Sequence, residues 1–384
     1  MRVSARLMSM QLTQPSKQLQ ISAFLSERIT AGEFPSAVYG VYENGKHMFA
    51  DALGHAVVDP YGIEASINTV YDLASLTKPL ITTLLLVRRV EQLGINLADS
   101  VSSYLTEFRD SDKSDISVLQ LLTHTSGLEA WRPLYLLCEG DPARAIEQIL
   151  KQPLEAETGS RVIYSDLGFI VLGILLERVT GKSIAELAPE EIFRPLNLTH
   201  SFFRPEISRQ TGIAACERGN LYERNSCREL GFPEYTESRR RTIWGEVHDG
   251  NAYFLGGAAG HAGLFSTAAE TLQIARQFLA SETTLLRPES CELFSTNLTP
   301  GLEEARSVGW QLATTSDSTA GTTLPPTSFG HNGFTGTSCW VDPVHQRIFV
   351  LLTNRTHARA LPFANINATR REFHRLAVAA LENH

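Results

Sequence analysis

Three short groups of residues have the types and spacing for nucleophilic chemistry. The first is Ser75-Leu-Thr-Lys78. Of the six lysines in the chain, Lys78 alone has a serine three residues before it. Positions i and i+3 share one helix face, so the two side chains meet at the first turn of a helix that follows. A serine alcohol is a weak nucleophile until a neighbouring base takes its proton, and a desolvated lysine can act as that base. The helix N-terminus adds N–H donors and positive potential for a developing oxyanion. The second group is Tyr164-Ser-Asp166. A tyrosine beside an ammonium loses its proton below its usual pKa of about 10 and serves as general base. Asp166 also stands where the N-cap of the following helix belongs. The third group is His331-Asn-Gly333, ahead of Phe334-Thr-Gly-Thr337, where glycines allow a ligand close to an edge strand. Each group has a structural reading too: serines start helices, and tyrosines fill cores. Tyr42-Glu-Asn44 repeats the second pattern, but its Asn44 belongs to a hairpin turn.

The elements that must position these groups follow from the hydrophobic pattern. Pro35 to Ala52 reads as a hairpin around an Asn44-Gly45 type I′ turn. Leu76, Leu80, Leu84 and Val87 recur at helical spacing, with Pro79 in the first turn and a stop near Gly94. Ser117 caps a short helix, and a longer one runs from about Leu167 to Thr180 with Gly181 beyond it. Capping boxes at Ser183–Glu186 and Thr267–Glu270 start two more. Residues 201–263 are polar, Gly-rich and irregular, as long functional loops are. The chain closes with strands at Thr337–Val341 and Arg347–Thr353 and an amphipathic helix to Leu381.

Strands at both ends with helices between them predict an α+β fold: an antiparallel sheet built from both termini, flanked by helices, with a helical insertion. The expected division is a single catalytic unit over 20–384. In it 20–75 and 265–384 form the sheet with terminal helices, and 76–264 form the helical and loop insertion. Residues 1–19 are an N-terminal extension.

Composition excludes several function classes. The 384 residues are 43% hydrophobic and 20% charged, ordinary globular usage. A net charge of −8 disfavours broad nucleic-acid binding, which needs a cationic face. Arg239-Arg240-Arg241 reads as a solvated loop. Five scattered cysteines without a C-x-x-C fit a reducing compartment. Met1 to Gln20 lacks the apolar core of a secretory signal, and no apolar run reaches the ~18–20 residues of a membrane span. A cytoplasmic protein is expected, or a periplasmic one if an upstream start encodes a signal. No nucleotide loop or H-E-x-x-H is present, so neither cofactor nor metal is expected. Oligomeric state has no signal in the sequence.

In order and rough spacing, Ser75-x-x-Lys78, Tyr164-x-Asp166 and His331-x-Gly333 resemble the S-x-x-K, Y-x-N and K-T-G motifs of the serine β-lactamase-related superfamily. That superfamily includes class C β-lactamases, penicillin-binding D-alanyl-D-alanine carboxypeptidases and family VIII carboxylesterases. The phrases Leu121-Leu-Thr-His-Thr-Ser-Gly-Leu128 and Gly260-His-Ala-Gly-Leu-Phe-Ser-Thr267 extend the resemblance over about residues 20–380. It implies a β-lactamase/transpeptidase-like fold and a covalent acyl-enzyme route. Ser75 is then the nucleophile, Lys78 and Tyr164 share the general-base role, and backbone N–H groups of Ser75 and Phe334 hold the oxyanion. Asp166, His331 and Gly333 face the substrate.

Two departures redirect the expected substrate. Asp166 replaces the motif's asparagine and cannot donate an amide N–H, though it can hold Lys78 as an ammonium. His331 replaces the third-motif lysine and is only partly protonated near pH 7. Anionic β-lactams and peptide termini are then weakly held, and a carboxylesterase-like hydrolase of small esters or amides fits better. A class C-type β-lactamase or D-alanyl-D-alanine carboxypeptidase is the alternative, and a catalytically silent ligand sensor is the alternative of another class. Among lesser candidates, His124 reads as a hydrogen-bonded structural histidine. His248-Asp249 and His261 read as one wall of the cleft, since they lack metal-ligand spacing. Trp244, Tyr253 and Trp310 are candidates for apolar lining. Arg355 is a candidate replacement for the missing lysine charge.

Overall fold

The computed structural model describes residues 17–233 and 239–382. The expected N-terminal extension, residues 1–19, therefore falls mostly outside the described residues. Strands β1 (Ser36–Glu43) and β2 (Lys46–Val57) form the expected hairpin, with Asn44 and Gly45 at φ 45° and 84° as a type I′ turn requires. The short strands β3 (Ile63–Glu64), β4 (Tyr71–Asp72), β5 (Phe265–Ser266) and β6 (Gln311–Leu312) follow. The closing strands are β7 (Phe329–Asn332), β8 (Ser338–Asp342) and β9 (Arg347–Thr353). Among the described residues one sheet has the order β3-β2-β1-β9-β8-β7-β6, antiparallel throughout, while β4 pairs with β5 apart from it. The architecture is α+β, with the strands from the two chain ends forming the two sides of the sheet and meeting at the β1–β9 junction.

β9 explains why its sequence is an unbroken apolar run: it is buried on both faces. Ile348, Val350 and Leu352 point into the large core shared with the helical region. Phe349 and Leu351 point the other way, into a second core covered by the Lys17–Thr30 and Asn367–Leu381 helices. Tyr39 and Phe373 meet edge-on there, with ring centroids 5.7 Å apart.

The helical region delivers the first two residue groups. Ala74–Leu76 is a 3-10 turn that runs through a π-helical stretch, Lys78–Thr83, into the Leu84–Leu93 helix, which ends at left-handed Gly94. The next important helix, Asp166–Thr180, is capped by Ser165 rather than Asp166: the Ser165 hydroxyl accepts the Gly168 N–H at 3.1 Å. The cap is one residue earlier than the sequence suggests, which releases Asp166 for another partner. The Ser183 box forms, with Glu186 accepting both the Ser183 N–H and its hydroxyl. At Thr267 the cap forms, but Glu270 turns away to the N–H groups of Thr199 and His200.

The 201–263 region is less irregular than its composition suggests. It holds helices Leu221–Glu229 and Gly250–Phe254, and Arg239 is buried rather than solvated. Its guanidinium donates to the carbonyls of Val247 and His248 and lies 4.3 Å from the Tyr253 ring centre, so it staples the loop from inside.

Gly260 sets how closely this loop meets the Asp166–Thr180 helix. A Cβ there would lie 2.0 Å from the Phe169 carbonyl oxygen and 2.9 Å from the Gly173 nitrogen, both backbone atoms that cannot turn aside. Gly260→Ala is expected to cost about 2–3 kcal/mol, the upper part of the overpacking range. Denaturant unfolding checks this, and an unchanged midpoint would contradict it.

Candidate active site

Ser75 lines a cleft of about 580 Å³ whose walls also include Tyr164, Asp166, His248, His331, Gly333 and Phe334. The loop that presents it is tied down on every side. Ala74 adopts φ 48°, a left-handed conformation that non-glycine residues hold only when their surroundings compel it. The buried Asp72 carboxylate accepts the Ala74 N–H at 2.9 Å and the His248 N–H at 2.7 Å. From the turn between β7 and β8, Thr335 and Thr337 donate their hydroxyls to the carbonyls of Asp72 and Leu73, at 2.7 and 3.0 Å.

Lys78 is completely buried one turn on from Ser75. Its Nζ reaches Ser75 Oγ at 2.9 Å, Asp166 Oδ1 at 2.6 Å and the His261 carbonyl at 3.2 Å. The i, i+3 spacing thus places serine and lysine in contact, and the Ser165 cap brings Asp166 to the same amine. Burial alone would push Lys78 down, but Asp166 and Tyr164 together raise it above its ordinary value. At neutral pH the side chain is an ammonium.

Tyr164 lies against the same nitrogen, which stands 5.0 Å from the ring centre. Its neighbours are the rings of His124 and His331, at 4.6 and 5.7 Å between centroids. The expected fall in its pKa does not occur. Desolvation is the largest influence and outweighs the pull of Lys78, with Asp166 adding to the rise, so the phenol is held above its ordinary value. His124 accepts the Ser165 N–H at 3.0 Å on Nδ1 and packs on Tyr164 and Phe169, a structural histidine as expected.

The third group differs from expectation in two respects. His331 is not partly protonated: burial, reinforced by the nearby Lys78 and Arg306 cations, holds it well below its ordinary value, and its Nδ1 bonds the Asn332 carbonyl at 2.9 Å. The imidazole is neutral. β7 is also not the outermost strand, although β6 pairs only with Phe329 and Gly330 and leaves His331 and Asn332 open on that side. Gly333 makes room for the protein itself rather than for a ligand. A Cβ there would lie 2.0 Å from Thr337 Oγ1 and 2.5 Å from the Leu73 carbonyl. The strand end can therefore close onto the Ser75 loop. The Phe334 N–H has no hydrogen-bond partner among the described residues and borders the cleft.

Two arginines lie under this strand end. Arg370 donates to the Gly333 and Thr337 carbonyls at 3.2 and 2.9 Å. Arg355 donates to the Phe334 and Ala364 carbonyls at 2.7 and 3.1 Å. Arg355 thus borders the cleft as expected, but it also holds backbone and packs on the Phe334 ring at 5.1 Å. Burial lowers both guanidinium groups, Arg370 to about 9.

Trp244, Tyr253 and Trp310 do not line the cleft; Trp131, Tyr222 and Phe334, with Tyr164, supply its aromatic surface. Trp310 is core, edge-on to Phe278 at 4.9 Å. Sequence reasoning missed Glu217, which bonds His248 Nε2 at 2.9 Å, and also Glu223, Arg306 and Arg370 on the cleft wall. None of these has a motif. The one signal was Arg370 on the inward side of an otherwise amphipathic terminal helix. His261 bonds Asp249 at 2.8 Å, and no cluster suited to a metal ion exists among the described residues.

The sequence model of the β-lactamase family matches residues 21–370 of this chain. The chain belongs to the β-lactamase family. It is a serine hydrolase of that family, and no helix among its described residues is long and apolar enough to cross a membrane. A protein of Escherichia coli K12 named "Putative D-alanyl-D-alanine carboxypeptidase" is 31% identical over 369 residues, covering 88% of this chain and 82% of that one. A protein of the same name from Salmonella typhimurium is 31% identical over 376 residues, covering 90% and 84%. Among solved structures, a class C β-lactamase superimposes with a TM-score of 0.73 at 18% identity, covering 96% of this chain and 97% of that one. EstCE1, described as a hydrolase with promiscuous acyltransferase activity, gives 0.71 at 20%, covering 93% and 98%. At such identities the structural likeness establishes the β-lactamase/transpeptidase-like fold.

Proposed function

We propose that this β-lactamase-family hydrolase forms an acyl-enzyme on Ser75 and hydrolyses small esters or amides in a carboxylesterase-like manner. Lys78 and Tyr164 act as one coupled proton-transfer unit. The Ser75 proton passes through this unit to the leaving group. The Phe334 and Ser75 N–H groups stabilise the oxyanion. The observation that carries the reading is the contact chain Ser75–Lys78–Asp166, at 2.9 and 2.6 Å, in a cleft where the third-motif position holds a neutral imidazole. A neutral His331 offers no charge to a substrate carboxylate, so uncharged esters lose nothing there and anionic lactams do.

A second reading, a D-alanyl-D-alanine carboxypeptidase, draws on the names of the bacterial relatives and on Arg355 and Arg370 at the cleft wall. Their guanidinium groups already serve four backbone carbonyls, which favours a positioning role over substrate binding.

Treatment with a fluorophosphonate probe is expected to give one adduct, mapped by mass spectrometry to Ser75 and absent in Ser75→Ala. No adduct on Ser75 would overturn the reading and favour a silent sensor. The substrate assignment has its own measurement: kcat/KM on a short-chain nitrophenyl ester should exceed that on a chromogenic cephalosporin by about tenfold or more, the ~1.4 kcal/mol of one lost charge contact. The reverse order would favour the peptidase and lactamase reading.

A further inference from the structure

We propose that a cavity along the Asp166–Thr180 helix, separate from the cleft, is a second ligand site and takes a primary alkylammonium ion. This goes beyond the hydrolase reading and does not depend on it.

The cavity has a volume of about 640 Å³ and shares no lining residue with the cleft. From the helix, Ile170, Gly173, Ile174, Glu177 and Arg178 line it. Those positions follow i, i+3, i+4, i+7 and i+8, so one continuous helix face looks into the space. Ile146 and Leu150 of the Ala145–Lys151 helix add apolar wall, as do Ile184 and Leu255. Exposure rises along the helix face: Ile170 is buried, Ile174 and Glu177 are half-buried, and Arg178 is exposed. The apolar end is therefore deep, and the charged end opens to solvent. Small-molecule sites have this size and this lining, mostly apolar with a few polar groups.

The walls cannot close on the space. A Cβ on Gly173 would lie 2.9 Å from the Gly260 nitrogen, so helix and loop already pack backbone to backbone. The loop is also anchored from behind. The Gly260 carbonyl accepts the Thr82 hydroxyl at 2.6 Å, and the next carbonyl, that of His261, accepts Lys78 at 3.2 Å. A preformed site of this kind asks little ordering of the protein when a ligand enters.

Charge selects the occupant. Of the four charged residues on the wall, Glu107, Glu147, Glu177 and Arg178, three are already paired. Arg178 donates to Glu107 at 2.8 and 3.4 Å, and Glu147 accepts from Lys151 and Arg144, neither of which lines the cavity. Glu177 has no ion-pair partner among the described residues. Burial raises its carboxyl above the ordinary value; the Ile184 N–H and the charge of Arg204 offset this only in part. A carboxylate desolvated beside isoleucines gains from a cation brought against it. An alkylammonium head supplies that charge with three donors, and its chain displaces water from Ile174, Ile170 and Ile146. An alkanol offers the chain without the charge, and a fatty acid sets a like charge beside Glu177.

Calorimetric titration of the whole protein with butyl-, hexyl- and octylammonium chloride tests the site. Affinity is expected to rise about threefold per added methylene, most of the gain of full burial. Octan-1-ol should bind about tenfold more weakly than octylammonium, and octanoate more weakly still. Glu177→Gln should weaken octylammonium about tenfold and leave octan-1-ol within about twofold. Ile174→Trp, whose larger side chain occupies the space, should abolish binding of both. No heat with octylammonium, or octan-1-ol binding as tightly as the amine, would overturn the proposal. Binding unchanged in Ile174→Trp would place the amine elsewhere, as in the acidic wall of the cleft, and overturn it too. If Ile174→Trp fails to fold, Glu177→Gln decides: equal octylammonium affinity in parent and variant rejects the site.

Discussion

Lys78→Met is expected to lower kcat/KM on a nitrophenyl ester by about 10³-fold or more, since members of one proton-transfer unit fail together. It should also destabilise the fold. The buried pair has its ions 2.6 Å apart, with the lysine wholly enclosed and the Asp166 side chain 18% exposed. Removing one partner of a buried pair costs about 3–5 kcal/mol because the other charge is left behind. The partial exposure of Asp166 places the expected loss near the low end of that range. The double variant Lys78→Met with Asp166→Asn should recover most of that stability and none of the activity. Thermal melts and ester kinetics on the same preparations separate the two effects. A single variant that keeps a tenth of the parental rate would remove Lys78 from the chemistry.

Asp166→Asn is expected to move the pH–rate profile for acylation toward lower pH by about one unit or more, the usual influence of a carboxylate in contact. The sign follows from the two raised groups. Asp166 raises Lys78 by charge and hydrogen bonding, and its charge also raises Tyr164. With that charge gone, both fall toward their ordinary values, and the proton-accepting form becomes more populated near neutrality. The parent protein should accordingly be alkaline-activated, its acylation rate still climbing above about pH 9, while the variant levels off earlier. A profile that stays in place would show that the Asp166 charge does not govern the base. Stability has the corresponding sign. The folded Lys78 lies above its ordinary 10.5, so its contribution is complete below that value and is lost only as pH rises through the folded pKa. Melting temperature in the parent should therefore carry no Lys78 signature between about pH 6 and 9.

Much of this was legible in the residues. The Asn44-Gly45 turn set the pairing of Glu43 with Lys46 and Tyr42 with His47, because such residues tolerate two consecutive positive φ angles, whereas the bulge that shifts the register at Val41 left no sign in the residues. The 3-residue spacing of Ser75 and Lys78 gave their contact, because helix periodicity is a local property of the chain. The alternation of cores across β9 lay hidden in a uniformly apolar run, since burial on both faces erases the period-2 signal.

The ionisation of the site was decided elsewhere. His331 was expected to be partly charged because an isolated imidazole is; its neutrality comes from burial beside Lys78 and Arg306, one of them 253 and the other 25 positions earlier in the chain. Tyr164 was expected to be acidic because an ammonium adjoins it, and desolvation reversed the sign. The Glu217–His248 bond joins residues 31 apart through a loop that reads as functional by its length and composition but carries no motif that would pair them. The sequence by itself determined which alcohol, amine and phenol meet, since short-range spacing and recurring motifs encode contacts. Which of them carry protons, and which carboxylate stands behind each, only the tertiary structure decided, because a pKa is set by the solvent excluded and the charges gathered from every part of the chain.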